Sequence, residues 1–250
     1  MKSADMMGGF AKGLEVIQVF DQGHPRLTIA EAAQLAGLDR ASTRRCLLTL
    51  VNLGFAETDG KYFSLTPRIM RLGRSFLVSN ILPRLVQPYL ETIARETGES
   101  SSVAVLDSVE IVYVARASQR RIISFNLGPG SRLPVYCHSM GRVLLAALPD
   151  DEVLRILEAT ERRAFTHYTK YEIGELMAEL ARVRLQGYST TDQELEIGLR
   201  SIAVPLVDRF GRTLAAINIG AHVSSVTIDD LVNKHLPKLL HARSELQQML

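Results

Sequence analysis

Residues 28–65 show a helix, turn, helix and hairpin pattern, an order with which few folds are compatible. Thr28 is suited to cap a first helix, whose apolar residues recur at helical spacing until Gly37 ends it. Asp39 offers the N-cap of a second helix. After that helix, Asp59-Gly60 predicts a tight hairpin, because both residues tolerate a positive φ. The order predicts a winged helix-turn-helix, a module that places its second helix in the major groove of double-stranded DNA.

The second helix carries its polar and basic residues on the side opposite Leu47. Because the arginine fork matches O6 and N7 of guanine, we expect this side to read base edges, while contacts with phosphates fix the register. The residues expected at base edges are Arg45, Ser42 and Thr43. Those expected at phosphates are Arg40, Arg44 and Lys61. The alternative is that this side is only the solvated face of an amphipathic helix.

Composition favours a globular protein of two domains, with 46% hydrophobic and 22% charged residues in a chain of 250. Residues 1–80 hold ten Lys and Arg against seven Asp and Glu, so a polyanion partner belongs to this part. No apolar stretch approaches the ~20 residues that span a bilayer, and no signal-peptide pattern is present. Cys46 and Cys137 match no disulfide or zinc spacing. We expect a cytoplasmic protein with no membrane partner and no metal.

The predicted domains are 1–66 for the winged helix-turn-helix, 67–83 for a linker helix and 84–250 for a second domain. Because the linker cannot bury its own apolar stripe, we expect it to pack within its domain or to pair two subunits of a homodimer. In the second domain the patterns predict strands at 101–106, 110–115, 121–125, 188–192, 200–207 and 213–219 and helices at 84–97, 139–148, 151–160, 172–186 and 229–250, with a loop at 128–134. This order predicts an α+β fold in which helices cover an antiparallel sheet.

Catalytic patterns in the second domain are weak. The run Cys137-His138-Ser139-Met140-Gly141 lacks the first glycine of a nucleophile elbow. Gly128 and Gly130 lack the third glycine of a dinucleotide-binding loop, and the six histidines show no metal-ligand spacing. We therefore expect a domain that binds a small molecule and is not an enzyme, with no cofactor. Residues 132–142 combine apolar side chains with a helix start whose free N–H groups favour a carboxylate.

Two segments carry a family resemblance that extends over nearly the whole chain. Residues 10–17 are similar to the first helix of the IclR family of bacterial transcriptional regulators, and residues 187–205 are similar to the signature region of its effector domain. The resemblance implies a winged helix-turn-helix, a linker helix and a GAF-like effector-binding domain, assembled as dimers or dimers of dimers.

The resemblance also implies where an effector binds. It points to Ser139, Met140, Thr191, Ser201, Asn218 and Gly220. Thr191 stands where glyoxylate-responsive relatives carry an acidic side chain. Residues 113–116 and 138–145 look most like the PcaR/PobR branch, which controls aromatic-acid catabolism in the β-ketoadipate pathway. That likeness implies a small aromatic or dicarboxylic acid as effector, such as protocatechuate, 4-hydroxybenzoate or β-ketoadipate.

Four more residues complete the predicted effector site. Arg116 or Arg132 is a suitable counter-charge for a carboxylate, although either equally suits a structural ion pair. Tyr113 and Tyr136 are candidates for the pocket wall, and the alternative is that they fill the core with Met140 while Ser139 only caps its helix. Two other functions remain open: an enzyme acting on a small aromatic acid with an accessory DNA-binding domain, and a DNA-binding architectural protein without an effector.

Overall fold

The computed structural model describes residues 6–21, 23–73, 81–118 and 127–250. Contacts within the chain divide it into two compact units, Met1–Ser79 and Asn80–Leu250. The mixed helix and sheet content confirms the predicted α+β class. The predicted strand at 121–125 and residues 74–80 of the predicted linker helix lie outside the described residues. In the parts of the chain that are described, no helix is long and apolar enough to cross a membrane.

The first unit has the predicted helix, turn, helix and hairpin order. Its elements are α1 (Gly8–Gln18), α2 (Ile29–Ala36), α3 (Arg40–Asn52), β1 (Ala56–Thr58), β2 (Phe63–Leu65) and a 3-10 helix (Pro67–Ile69). Thr28 and Glu31 form a capping box at α2, and Gly37 ends that helix with φ +64°. Asp39 accepts the Ser42 amide at 2.7 Å and so caps α3. Leu27, Leu47 and Phe63 belong to the core that joins these elements.

The second unit is built on a six-stranded antiparallel sheet with the order β5-β4-β3-β8-β7-β6. The strands are β3 (Ser100–Asp107), β4 (Glu110–Ala117), β5 (Arg132–Pro134), β6 (Ser189–Asp192), β7 (Leu199–Val207) and β8 (Thr213–His222). Residues Arg132–Pro134 correct the prediction of a loop at 128–134, because they pair with β4 as a short edge strand.

Helices cover both faces of this sheet. They are α4 (Ile81–Thr97), α5 (Ser139–Ala146), α6 (Asp150–Ala159), α7 (Ile173–Gln186) and a continuous α8 that runs through Ile228–Asp230, a π-helical Leu231–His235 and Leu236–Gln247. Apolar residues of α4 and α8 pack on one face, and those of α5, α6 and α7 pack on the other. Burial of apolar area on both faces stabilises the unit. The buried polar groups of the unit need hydrogen-bond partners, because burying a polar group without one costs free energy.

Candidate functional site

The exposed face of α3 is centred on Ala41, Arg44 and Leu48, with Arg45 beside it. Ser42 and Thr43, which we expected at base edges, are only 4% and 0% exposed. Thr43 Oγ1 donates to the Asp39 carbonyl at 3.0 Å. These burials correct the prediction for both residues. The arginines stay on the accessible side of the helix.

The packing of α1 explains the corrected face. Lys12 of α1 donates to Ser42 Oγ at 3.1 Å and lies 3.7 Å from the Asp39 carboxylate. The prediction of the exposed side used only the position of Leu47, and the periodicity of one helix carries no information about a neighbouring helix such as α1. Because α1 covers the Ser42 side, the accessible stripe of α3 turns towards Ala41 and Arg44.

The β1–β2 hairpin carries the predicted Lys61 at its exposed tip. Asp59 Oδ1 accepts the backbone amides of Lys61 and Tyr62 at 2.9 and 2.7 Å, which fixes the turn. The guanidinium of Arg26 stacks over the Tyr62 ring at 4.0 Å. Arg26 precedes Leu27, which bridges to Phe63 of the hairpin. Arg26 was not among the predicted DNA contacts, because its only local signal in the sequence is its place before the Thr28 cap.

A row of polar residues crosses the sheet of the second unit on the face covered by α5. Register places Arg116 opposite Ser102, Ser102 opposite Asn218, Gly220 opposite Ser201, and Ser201 opposite Thr191. Residues directly opposite one another share a face. Together with Ser139 of α5 they form what we call the polar patch, consisting of Ser100, Ser102, Arg116, Ser139, Thr191, Ser201, Asn218 and Gly220.

Arg116 gives one end of the polar patch a positive charge. Its guanidinium donates to Ser102 Oγ at 3.2 Å and to Ser100 Oγ at 3.1 Å. No carboxylate of the described chain forms an ion pair with it. Burial lowers the pKa of Arg116, although the group stays protonated at neutral pH. A half-buried cation held by hydroxyl groups alone is suited to accept an anion.

Three hydroxyls form the other end of the polar patch. Ser201 Oγ lies 2.7 Å from Ser139 Oγ and 2.8 Å from Thr191 Oγ1. Between the two ends, Asn218 Oδ1 is buried and finds no hydrogen-bond partner among the groups described. A Cβ built on Gly220 would have nothing within 4 Å. An unsatisfied buried acceptor beside open space is typical of a site that a ligand completes.

His138 adjoins this patch as a neutral group. Its Nδ1 accepts the Met140 amide at 3.3 Å as the N-cap of α5, and its Nε2 lies 3.0 Å from the Tyr113 hydroxyl. Burial lowers the pKa of His138 to about 4 and raises the pKa of Tyr113. Since Nδ1 is the acceptor, Nε2 carries the proton and donates to Tyr113. The capping role of His138 was not predicted from the sequence, where the run that contains it was compared only with a nucleophile elbow.

Two residues predicted at the effector site have other partners. Arg132 donates to Glu110 at 2.7 Å and to Asp107 at 2.6 Å on the exposed edge of the sheet, so it forms a structural ion pair. The Tyr136 hydroxyl donates to the Arg163 carbonyl at 2.8 Å and accepts the Arg163 amide at 3.0 Å. The predictions that Arg132 and Tyr136 contact the effector are therefore corrected, because these hydrogen bonds occupy the polar groups that would bind it.

Cys137 is unsuited to nucleophilic chemistry. Burial raises the pKa of its thiol to about 12, so the thiol is protonated at neutral pH. In the parts of the chain described, no group of His, Cys, Asp and Glu side chains could hold a metal ion. A buried, protonated thiol is a weak nucleophile, so the state of Cys137 favours binding over nucleophilic catalysis at this end of α5.

A buried ion pair ties α5 to the segment after β6. Arg142 makes a bidentate contact with the Glu194 carboxylate, and its Nε donates to the Tyr136 carbonyl at 2.9 Å. Glu194 also accepts the Lys170 amide at 3.1 Å. Because α5 carries Ser139 and β6 carries Thr191, this pair fixes two sides of the polar patch. This pair was not predicted from the sequence, in which Arg142 and Glu194 lie 52 residues apart.

The winged helix-turn-helix and the separate sheet unit with its polar patch define a DNA-binding regulator with a ligand-binding domain. Comparison gives the family. Residues 75–247 match the bacterial transcriptional regulator IclR C-terminal family, and residues 10–60 match the IclR helix-turn-helix domain. The chain belongs to the IclR family of bacterial transcriptional regulators. The predictions of this family and of a regulator rather than an enzyme are confirmed.

Three relatives illustrate the likeness. The Pca regulon regulatory protein of Pseudomonas putida is 44% identical over 97% of this chain and 84% of its own length. The crystal structure of a transcriptional regulator from Rhodococcus sp. RHA1 superposes with a TM-score of 0.83 at 42% identity, covering 97% of this chain and 98% of that one. The PobR inducer-binding domain from Acinetobacter, a double mutant in complex with 3-hydroxybenzoic acid, has a TM-score of 0.64 at 30% identity and covers 67% of this chain and 98% of that one.

Proposed function

We propose that this regulator controls aromatic-acid catabolism and that its polar patch binds a small carboxylate effector of that class. The observation that carries the proposal is Arg116, a half-buried cation that contacts hydroxyls and has no carboxylate partner in the described chain. Anion binding would provide the missing counter-charge. The related PobR domain in complex with 3-hydroxybenzoic acid supports an aromatic acid as the anion.

The remaining members of the patch have distinct proposed roles. Ser139, Thr191 and Ser201 supply hydroxyls, Asn218 supplies a buried amide, and Gly220 leaves room for the ligand. Tyr113 and Met140, both buried beside the start of α5, form an apolar wall. This combination of apolar wall and few convergent polar groups is typical of small-molecule sites.

For DNA we propose that Arg44 and Arg45 enter the major groove and that Arg40 and Lys61 contact phosphates. All four side chains lie on exposed positions of α3 or the hairpin. The sequence predicts Arg44 at a phosphate. We instead propose that Arg44 contacts base edges, because it lies at the centre of the accessible face of α3. An arginine in the major groove recognises guanine, whereas arginines and lysines at phosphates contribute equally to the affinity for every DNA sequence.

We further propose that the protein is a homodimer in the cytoplasm, where its DNA partner resides. An apolar groove of about 860 Å³ lies between α1 and α3 and is lined by exposed Phe10, Leu14, Leu53 and Leu72. Exposed apolar side chains grouped along one groove are typical of an interface, and a two-fold dimer matches the symmetry of palindromic operators. Sedimentation of Phe10→Glu beside the unmodified chain tests the interface, since a monomer is expected only for the variant.

Calorimetric titration with 4-hydroxybenzoate tests the effector site. Arg116→Gln should abolish saturable binding, because the carboxylate loses its counter-charge. Arg132→Gln is the matched control, since Arg132 pairs with Asp107 and Glu110 at the sheet edge, and this variant should bind as the unmodified chain does. Equal binding by both variants would contradict the assignment of the anion site.

A further inference from the structure

We propose that Ser42 is a positioning residue for DNA recognition: its buried hydroxyl holds the guanidinium of Arg45 where this arginine meets a base edge. The inference rests on the proposed function, since it assumes that Arg45 enters the major groove. It adds a residue that determines specificity without contacting DNA itself.

Ser42 and Arg45 are neighbours on the surface of α3. They are three residues apart, a spacing that places both side chains on the same side of a helix. Arg45 Nη2 donates to Ser42 Oγ at 3.4 Å. Arg44 lies at a spacing from Ser42 whose side chains do not face each other, and the described structure contains no hydrogen bond between them. The contact therefore distinguishes the two arginines of the proposed reading face.

The Ser42 hydroxyl is fixed by partners on both sides. Lys12 of α1 donates to Oγ at 3.1 Å, and its ammonium lies 3.7 Å from the Asp39 carboxylate. Hydrogen bonds from the amide and the hydroxyl of Ser42 lower the pKa of Asp39 to about 2, so this carboxylate is charged at neutral pH. A serine hydroxyl offers one proton and two lone pairs. Asp39 accepts the proton, and Lys12 and Arg45 donate to the lone pairs, so the hydroxyl keeps one orientation.

Burial separates this role from a direct contact with DNA. Ser42 is covered by protein, being only 4% exposed, whereas Arg45 is exposed. The hydrogen bond to Ser42 uses a single N–H group of the guanidinium. The other N–H groups of Arg45 stay available for O6 and N7 of guanine.

Holding Arg45 in place lowers the entropy that its side chain loses on binding. A free arginine samples many rotamers, and ordering it in the groove costs free energy. A side chain that is already ordered avoids much of this cost, which corresponds to about three- to tenfold in affinity. Phosphate contacts are the same on any DNA, so the gain arises only where Arg45 meets its base. It therefore changes specificity and not general affinity.

Fluorescence anisotropy of the full chain tests this role with DNA from the protein's own promoter and with the same DNA scrambled. The specificity ratio is the dissociation constant for scrambled DNA divided by that for promoter DNA at one salt concentration. Ser42→Ala should lower this ratio about three- to tenfold and leave the affinity for scrambled DNA and its salt dependence unchanged. Thr43→Val is the matched control: it removes the neighbouring buried hydroxyl, which donates to the Asp39 carbonyl, and it should keep the ratio.

Double-mutant cycles show whether Ser42 acts through Arg45. In an Arg45→Ala background, Ser42→Ala should have no further effect on the specificity ratio, because the side chain that it positions is gone. In an Arg44→Ala background, Ser42→Ala should lower the ratio as it does in the unmodified chain. A general distortion of α3 by Ser42→Ala would instead lower the ratio in both backgrounds.

The outcomes separate this inference from the proposed base contact. If Arg45→Ala lowers the ratio while Ser42→Ala keeps it, or lowers it equally in both backgrounds, the positioning role is overturned and the base contact of Arg45 stands. If Arg45→Ala keeps the ratio of the unmodified chain, both are overturned. Thermal melting monitors folding, and Ser42→Cys, whose thiol is a weak acceptor, replaces Ser42→Ala if that variant does not fold.

Discussion

Arg116 and Arg132 lie on neighbouring strands of one sheet and have opposite surroundings. Arg132 contacts two carboxylates at the exposed edge, and Arg116 contacts two serine hydroxyls on a covered face. The sequence offered both as counter-charges and could not separate them. The difference depends on which strands pair and in which register, and no local pattern in the chain carries that information. Ser139 and Ser201, by contrast, were predicted at the site and lie within hydrogen-bonding distance of each other.

His138 predicts a pH dependence of folding stability. Its pKa falls from 6.5 to about 4 in the folded protein, so the unfolded chain binds more protons between these values. Stability should therefore be fully present above pH 6.5 and be lost as the pH falls towards 4, by up to about 3 kcal/mol. Urea unfolding at a series of pH values measures this slope. His138→Asn keeps an N-cap residue and should reduce the dependence of the unfolding free energy on pH. An unchanged dependence would show that other groups cause it.

The buried pair of Arg142 and Glu194 predicts a large effect on stability. Glu194→Ala leaves a buried guanidinium without its counter-charge and should cost about 3–5 kcal/mol of unfolding free energy. Asp151→Ala breaks the exposed pair with Arg155 and should cost less than about 1 kcal/mol. Chemical denaturation of both variants provides the comparison. Similar losses of unfolding free energy in the two variants would contradict the claim that burial makes the Arg142–Glu194 pair more important for stability than the exposed pair.

Helix α3 shows what an element's sequence determines and what its neighbours determine. Its cap and its length followed from Asp39 and the apolar spacing, and the structure confirms the helix. The accessible face did not follow, because α1 is remote in the sequence and covers Ser42. A helical-wheel projection assumes that the buried side of a helix is centred on its apolar residues. Packing of a second helix, here α1, shifts the centre of the buried side.

The corrected face of α3 predicts how variants read DNA. Arg44→Ala should cost roughly 1–3 kcal/mol of binding to the protein's own promoter DNA relative to scrambled DNA, while Lys61→Ala should weaken both alike. Thr43→Val is the control, because its side chain is fully buried. Fluorescence anisotropy at one fixed salt concentration measures all three. A loss of specificity in Thr43→Val, with none in Arg44→Ala, would contradict the corrected face and favour the sequence-based prediction that Thr43 contacts base edges.

The start of α5 depends on the absence of a side chain at Gly141. A Cβ there would lie 2.0 Å from the Val135 carbonyl oxygen, so the helix could not keep its place against this backbone. Gly141→Ala should therefore destabilise the protein by about 3 kcal/mol or more. Gly128→Ala, where a Cβ meets nothing within 4 Å, should be neutral in the same thermal melts. Comparable melting temperatures for the two would show that α5 can shift.

At the scale of the whole molecule, the sequence predicted the elements better than their assembly. Most strands and helices of the second unit lie within a few residues of their predicted positions. The order β5-β4-β3-β8-β7-β6 was not predicted, because β3 pairs with β8 across more than half the unit's length. That pairing brings Asn218 and Gly220 beside Ser102 and so creates the polar patch. Only the family resemblance pointed to these two late residues.

Regulation requires that the effector bind two states of the protein with different affinities. The polar patch meets a structural condition for such a response, because α5 and β6 both contribute hydroxyls to one end of it, and Arg142 of α5 is tied to Glu194, which follows β6. A ligand that contacts both elements changes the free energy of any state in which they move apart.

The most direct test of the account is calorimetric titration of the purified full chain and its Gly220→Val variant with 4-hydroxybenzoate. Valine is favoured in strands, and thermal melting should show the variant folded. We predict saturable binding, roughly micromolar, for the unmodified chain and none for the variant, because the valine methyl groups occupy the open floor of the patch. Absence of binding by the unmodified chain, or equal binding by Gly220→Val, would contradict the account.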